Sequence, residues 1–151
     1  MLEAPAHQNT MILSLKICLK ELSEQGKSFN WEPQGCEKCR RPMWGHGFVS
    51  RYFAEMAASL YLKRFRCPGC RSVVTTRPSG YWPRIRNSVV SIYTCLRARL
   101  DTGRWPSGGP RQRYGHWLRR FGRKVRMDFN HAPDLSQALE FCLSKSIPFF
   151  T

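Results

Sequence analysis

Acidic side chains are scarce in this chain. Ten of its 151 residues are Asp or Glu, against 25 Lys and Arg, and the formal charge is +15. Between residues 36 and 127 only Glu37, Glu55 and Asp101 are acidic, and they stand apart from one another. That leaves no pair of carboxylates at metal-binding spacing, as a metal-dependent nuclease or transposase centre would need. The chain also lacks a glycine-rich phosphate loop and a nucleophile elbow, so neither nucleotide hydrolysis nor ester chemistry is expected. No apolar run approaches the length needed to span a bilayer. The apolar stretch after Met11 contains Lys16 and has no basic leader, so no signal peptide is expected. There is no internal repeat and no low-complexity tract.

Arginine is missing from both ends. All 18 arginines lie between Arg40 and Arg126. Residues 36–127 hold 21 Lys and Arg against three acids, a net of +18, while the flanks hold four Lys against seven acids, a net of −3. A solvated surface does not require such segregation. Guanidinium forks match phosphate and guanine edges, so the pattern points to an anionic partner, nucleic acid first.

Cysteine is present in an odd number, seven. Four form two tight pairs, Cys36-Glu-Lys-Cys39 and Cys67-Pro-Gly-Cys70, in the pattern C-x2-C-x27-C-x2-C. Two intervening residues let both sulfurs of a pair face one ion, and two pairs complete the tetrahedron of a zinc ribbon. One structural Zn2+ is therefore expected on Cys36, Cys39, Cys67 and Cys70. A redox dithiol needs only one pair near a strand-helix turn, so two matched pairs disfavour it. His46, the histidine nearest the pairs, is not needed as a ligand and can instead bond backbone or phosphate. Cys18, Cys95 and Cys142 sit in apolar helical contexts and read as reduced core residues, which places the chain in a reducing, cytoplasmic compartment.

The expected fold class is α+β, a four-cysteine ribbon with a small antiparallel sheet, followed by a basic helix-turn-helix-like part and flanked by terminal helices. Four segments are expected: residues 1–35, an N-terminal helix and connector; 36–78, the ribbon; 79–127, the basic helical region; and 128–151, a C-terminal helix and tail. The first nine residues read as frayed. Met11, Ile12, Leu15, Cys18, Leu19 and Leu22 recur at helical spacing and predict a helix over 10–25, stopped by Gly26. Strands are expected over 47–53, 60–66 and 72–76, the last ending before Pro78, with 54–59 as the turn. A second helix is expected over 86–101, with Gly103 as its cap. Pro110 fits the first position of a third helix, whose buried stripe is Tyr114, Trp117, Leu118, Phe121 and Val125. Asp134 should cap a last helix over 135–145, ahead of the apolar tail Ile147-Pro-Phe-Phe150.

From Arg104 to Arg126 there are eight basic residues and no acid. Arg111, Arg113 and His116 open the third helix, where they can reach base edges in a major groove; Arg119, Arg120, Arg123, Lys124 and Arg126 follow and can track the backbone. Arg84, Arg86, Arg97 and Arg104 extend the basic surface. Contacts restricted to phosphate are the alternative to groove reading. Tyr81, Trp82 and Trp105 sit in loops beside arginines, where stacking on unpaired bases and packing in the core are both open.

The stretch from Cys36 to about Phe121 resembles short prokaryotic proteins of mobile elements, in which a zinc ribbon precedes a helix-turn-helix. The residues that carry the likeness are Cys36-Glu-Lys-Cys39, Gly45-His-Gly-Phe-Val-Ser-Arg-Tyr52, Lys63-Arg-Phe-Arg-Cys-Pro-Gly-Cys-Arg71 and Tyr114-Gly-His-Trp-Leu-Arg-Arg-Phe121. The chain departs from that pattern in a longer turn, Gly103 to Gly109, and in Arg77-Pro-Ser-Gly-Tyr-Trp-Pro83 after the second pair. The resemblance implies DNA recognition in transposition, recombination or regulation, beside a transposase or recombinase. A non-enzymatic, zinc-stabilised DNA-binding protein is the leading expectation. An RNA-binding accessory subunit of a reverse transcriptase or RNA-guided complex is the alternative, and a basic module that docks an acidic protein is a third.

Overall fold

A computed structural model describes residues 11–129, 134–145 and 147–149. The first nine residues and Phe150 of the tail lie outside the described residues. The chain divides into two compact units, Met1–Ser79 and Gly80–Thr151.

The first unit is a four-stranded mixed sheet with one short helix. In chain order it contains β1 (Met11–Leu15), α1 (Leu19–Gln25), a single 3-10 turn (Gly26–Ser28), β2 (Trp44–Arg51), β3 (Leu60–Arg66) and β4 (Val73–Pro78). Strand order is β1-β4-β3-β2. β2, β3 and β4 form an antiparallel meander, and β1 joins β4 in parallel, from Met11 opposite Val74 to Leu15 opposite Pro78.

The helix expected over 10–25 is thus a strand in its first part. Met11, Leu13 and Leu15 are half-buried while Ile12 and Ser14 are exposed, the alternation of a strand with one covered face. Both periods fit so short an apolar run, and the open edge of β4 decides between them. The helix proper starts only at Leu19; Leu22 is fully buried and Gly26, at φ 55°, ends it. Cys18 is a second correction. It precedes α1 and is exposed, so it is not a core residue.

β4 also runs on through Pro78, where the sequence suggested a stop. Proline has no N–H to give the ladder, but the next donor makes up for it: Ser79 N–H bonds the Leu15 carbonyl at 2.7 Å. On the central strand Leu60, Leu62 and Phe65 are buried, joined in the core by Leu22, Trp31, Met43, Phe53 and Val73. Thr76, fully buried, donates its hydroxyl to the Lys63 carbonyl at 2.8 Å.

The second unit is helical: α2 (Val89–Thr102), α3 (Arg111–Asp128) and α4 (Leu135–Ser144). Ser88 caps α2 by accepting from Ser91 N–H at 3.2 Å, and Gly103, at φ 69°, closes it. Pro110 stands just before α3 rather than as its first residue, and Asp134 caps α4. Ile92, Tyr93, Cys95 and Leu96 of α2 meet Trp117, Phe121 and Val125 of α3 and Ala138, Leu139 and Cys142 of α4 in one core. Trp82 belongs to this core. It packs edge-on against Tyr93 and Phe149, with ring centroids 6.0 and 4.6 Å away, which decides its role for packing. Trp105 is half-buried over Tyr114. Gly103 to Pro110 join α2 to α3, and a helix-turn-helix assignment does not follow from this connection.

Candidate metal centre and basic surfaces

The two cysteine pairs fold into near-identical knuckles. In the first, Cys36 N–H bonds the Arg41 carbonyl at 2.8 Å and Arg40 N–H bonds the Cys36 carbonyl at 2.8 Å. In the second, Cys67 N–H bonds the Ser72 carbonyl and Arg71 N–H bonds the Cys67 carbonyl, each at 3.0 Å. The residue after each second cysteine must turn left-handed for the loop to close. It is an arginine in both, Arg40 at φ 57° and Arg71 at φ 60°. A side chain in that conformation costs roughly 1–2 kcal/mol. A bridge between Gly35 and Pro42 anchors the first knuckle, and β3 and β4 flank the second.

The knuckles bring the sulfurs of Cys36, Cys39, Cys67 and Cys70 within 4.8 Å of one another. Cys36 Sγ and Cys70 Sγ are 3.6 Å apart. A tetrahedral ion with metal–sulfur bonds of about 2.3 Å sets its sulfurs about 3.8 Å apart, so this cluster fits one metal ion. Cys36 and Cys67 are buried, Cys39 is half-buried and Cys70 is exposed, so the site is covered on one side and open on the other. All seven cysteines are free thiols, with no disulfide competing for these four.

The surroundings favour the thiolate at two of the four positions, Cys36 and Cys70. The Ser72 hydroxyl, 3.0 Å from Cys70 Sγ, is the main cause that lowers the Cys70 thiol to about 6, followed by the Ser72 N–H. The Cys39 N–H lowers Cys36. Cys39 is raised to about 12, chiefly by its hydrogen bond to Cys70, so in the metal-free cluster it keeps its proton. Cys95, by contrast, is raised to about 11 by burial alone, in the unit that holds no part of the quartet.

The basic residues singled out from sequence separate into several environments. On α3, Arg111, Arg113, His116, Arg119, Arg123 and Arg126 are exposed, and Trp117, Phe121 and Val125 take the opposite, buried side. Arg120 is half-buried. Lys124 is also half-buried and bonds Asp128 at 2.8 Å. Arg97 of α2 is bonded to Glu140 of α4, so it already has an acidic partner. Arg84, Arg86 and Arg104 are exposed, and Arg84 has a left-handed backbone at φ 63°. Arg99, half-buried near the end of α2, bonds the Gly103 carbonyl and lies 5.3 Å over the Trp105 ring.

One surface in the ribbon was missed from sequence. Trp44 opens β2 and is 67% exposed, while Trp31, Trp82 and Trp117 are buried. Its cross-strand partner is Arg66. A signal was available: Trp44 alternates with the buried Met43 at the mouth of a strand, so its side chain must face away from the core.

No helix among the described residues is long and apolar enough to cross a membrane. Comparison with family models, with curated proteins and with solved structures finds no match to this chain.

Proposed function

We propose that this is a non-enzymatic, zinc-stabilised DNA-binding protein, acting in the cytoplasm for a bacterial mobile element in transposition or recombination, or as a regulator. The observation that carries the reading is the exposed arginine face of α3. Arg111 and Arg113 stand in its first turns, where no acid is present and no side chain caps the helix. Cations there oppose the helix dipole by about 0.3–1 kcal/mol each. A phosphate against this end would reverse the sign of that interaction.

Zinc on Cys36, Cys39, Cys67 and Cys70 would supply a closed four-thiolate crosslink with no open position for water, hence a structural role. The chain's own part is to hold the sulfurs in two knuckles and to favour the deprotonated forms of Cys70, through Ser72, and of Cys36, through the Cys39 N–H. Nothing in the arrangement asks the protein for a chemical step. Two of the acids nearest the basic helices, Glu140 and Asp128, are engaged in ion pairs.

The test is binding of the purified full chain to duplex DNA by fluorescence anisotropy across a salt series, with zinc quantified in the same sample. One zinc per chain is expected. Five exposed arginines on α3 lead to a slope of log affinity on log salt of about −4.5, at roughly −0.9 per phosphate neutralised. Removing Arg119 and Arg123 together should bring the slope up by about 2. Binding that hardly responds to salt, or tighter binding to structured RNA than to duplex DNA, would overturn the DNA reading.

A further inference from the structure

Beside the metal centre lies a shallow groove of about 270 Å³, lined by Trp44, Gly45, His46, Arg66, Cys67, Pro68 and Arg71. It has one exposed indole, two exposed guanidinium groups and no acid. Each part is placed by the fold. Trp44 and Arg66 face each other across β2 and β3, so their side chains leave the sheet on the same side. A register shift between Gly45 and Phe48, with Gly47 at φ 77°, bends β2 directly after Trp44. Such bulges re-aim side chains near functional sites. Arg71 enters from the second knuckle at its left-handed position.

Two features here cost stability in the free protein. An indole two-thirds exposed leaves a large apolar ring in water. Arginine occupies a backbone position that glycine would fill without strain. Neither Arg66 nor Arg71 has an acidic partner for its side chain among the described residues. An aromatic plane flanked by free guanidinium groups suits a ligand with a flat face and a negative charge close together. An unpaired nucleotide has both, whereas a base inside a duplex has its faces stacked away.

We propose that this groove binds one unpaired nucleotide of a single strand, its base stacked on Trp44 and its flanking phosphates held by Arg66 and Arg71. The inference rests on the nucleic-acid reading above and adds a second kind of contact, on the ribbon instead of α3. It implies a target in which duplex meets single strand, such as a nicked, frayed or recessed end.

The experiment uses the zinc-loaded full chain with three probes: an oligothymidylate of about ten nucleotides, an abasic strand of equal length, and a blunt duplex. Stacking on one base predicts that Trp44→Ala weakens oligothymidylate binding about 5- to 150-fold. Trp44→Phe should recover part of the loss, and the duplex affinity should change by less than about twofold. The abasic strand should bind the wild type no better than oligothymidylate binds Trp44→Ala. Arg71→Gly guards against misfolding as an explanation, because glycine relieves the left-handed strain. It should keep its zinc and melt no lower than wild type, yet lose about one unit of salt slope on oligothymidylate.

Equal binding of oligothymidylate by wild type and Trp44→Ala, or equal binding of the abasic strand by the wild type, overturns the inference while leaving duplex recognition intact. Trp44-dependent binding of the single strand with no affinity for the duplex supports the groove and overturns the duplex reading. Binding of none of the probes overturns both. A polyglutamate peptide that displaces oligothymidylate and itself requires Trp44 would assign the groove to an acidic protein instead.

Discussion

Ser72 shows how one side chain beyond a ligand pair can set the chemistry of the pair. Its hydroxyl lies 3.0 Å from Cys70 Sγ and is the largest cause holding that thiol down, to about 6. The folded value is below the ordinary thiol value of 9.0. The stabilisation it represents is therefore complete above pH 9 and is lost as the pH falls through 6. Protons and metal compete for the same sulfur, so zinc release on acidification should follow Cys70 protonation. Ser72→Ala removes the hydroxyl but keeps the backbone N–H. Its zinc-release midpoint, followed with a chromophoric chelator, should move to higher pH, while the zinc content at pH 8 stays at one per chain. A midpoint unchanged or lower would show that the hydroxyl has no hold on the thiolate. That these four cysteines come together was legible in the sequence, because C-x-x-C is a local geometry that survives any tertiary context. The proton distribution was not legible, since it depends on which knuckle atom meets which sulfur. Cys18 was misread for a related reason: an apolar neighbourhood in sequence does not say where a strand ends.

Among the elements, the connection between α2 and α3 decides how the basic helix is presented. It is closed by a contact that leaves no room for a side chain at Gly109: a Cβ there would overlap the Tyr114 hydroxyl and the ring carbon that bears it. Tyr114 in turn packs at a tilt between Trp105 and Trp117, with centroids 5.6 and 5.5 Å away, so it cannot swing aside without disturbing both. Gly109→Ala should destabilise the helical unit by about 1–3 kcal/mol, the usual cost of overpacking. The decisive measurement is a double-mutant cycle by urea denaturation. In a Tyr114→Leu background most of the Gly109→Ala cost should vanish, because leucine carries no atoms where the phenol ring ends. Strict additivity would place the strain elsewhere. Helices with a long amphipathic stripe, α2, α3 and α4, were readable from periodicity because their cores sit within their own unit. β1 was not. Its register is set by β4, about 60 residues further on, and nothing local distinguishes Met11-Ile-Leu-Ser-Leu15 as strand from the start of a helix.

At the scale of the whole molecule, the basic segment read as one block from 36 to 127 is shared between two units. Residues 1–79 carry 12 basic and six acidic residues, a net of +6; residues 80–151 carry 13 and four, a net of +9. The break at Ser79 and Gly80 lies inside the arginine-rich stretch. The candidate metal site lies wholly in the first unit. The two knuckles hold its four sulfurs within 4.8 Å of one another, and a bound ion would crosslink them. The second unit has its own core, centred on the fully buried Phe121, Ile92 and Leu96, and none of the four ligands belongs to it. Its two cysteines, Cys95 and Cys142, are buried, and burial raises both thiols, so they stay protonated and offer no competing site. A strong zinc chelator should therefore split the molecule's properties. The ribbon should unfold, the cysteines of the quartet should become reactive to alkylation, and Trp44-dependent affinity for a single strand should be lost. Helical circular dichroism should persist, since α2, α3 and α4 all lie in the second unit, and duplex DNA should still bind with a steep salt dependence. Collapse of the helical signal together with the zinc would mean that the second unit cannot stand on its own core. Loss of duplex binding with helicity intact would instead move the main phosphate contacts from α3 to the ribbon.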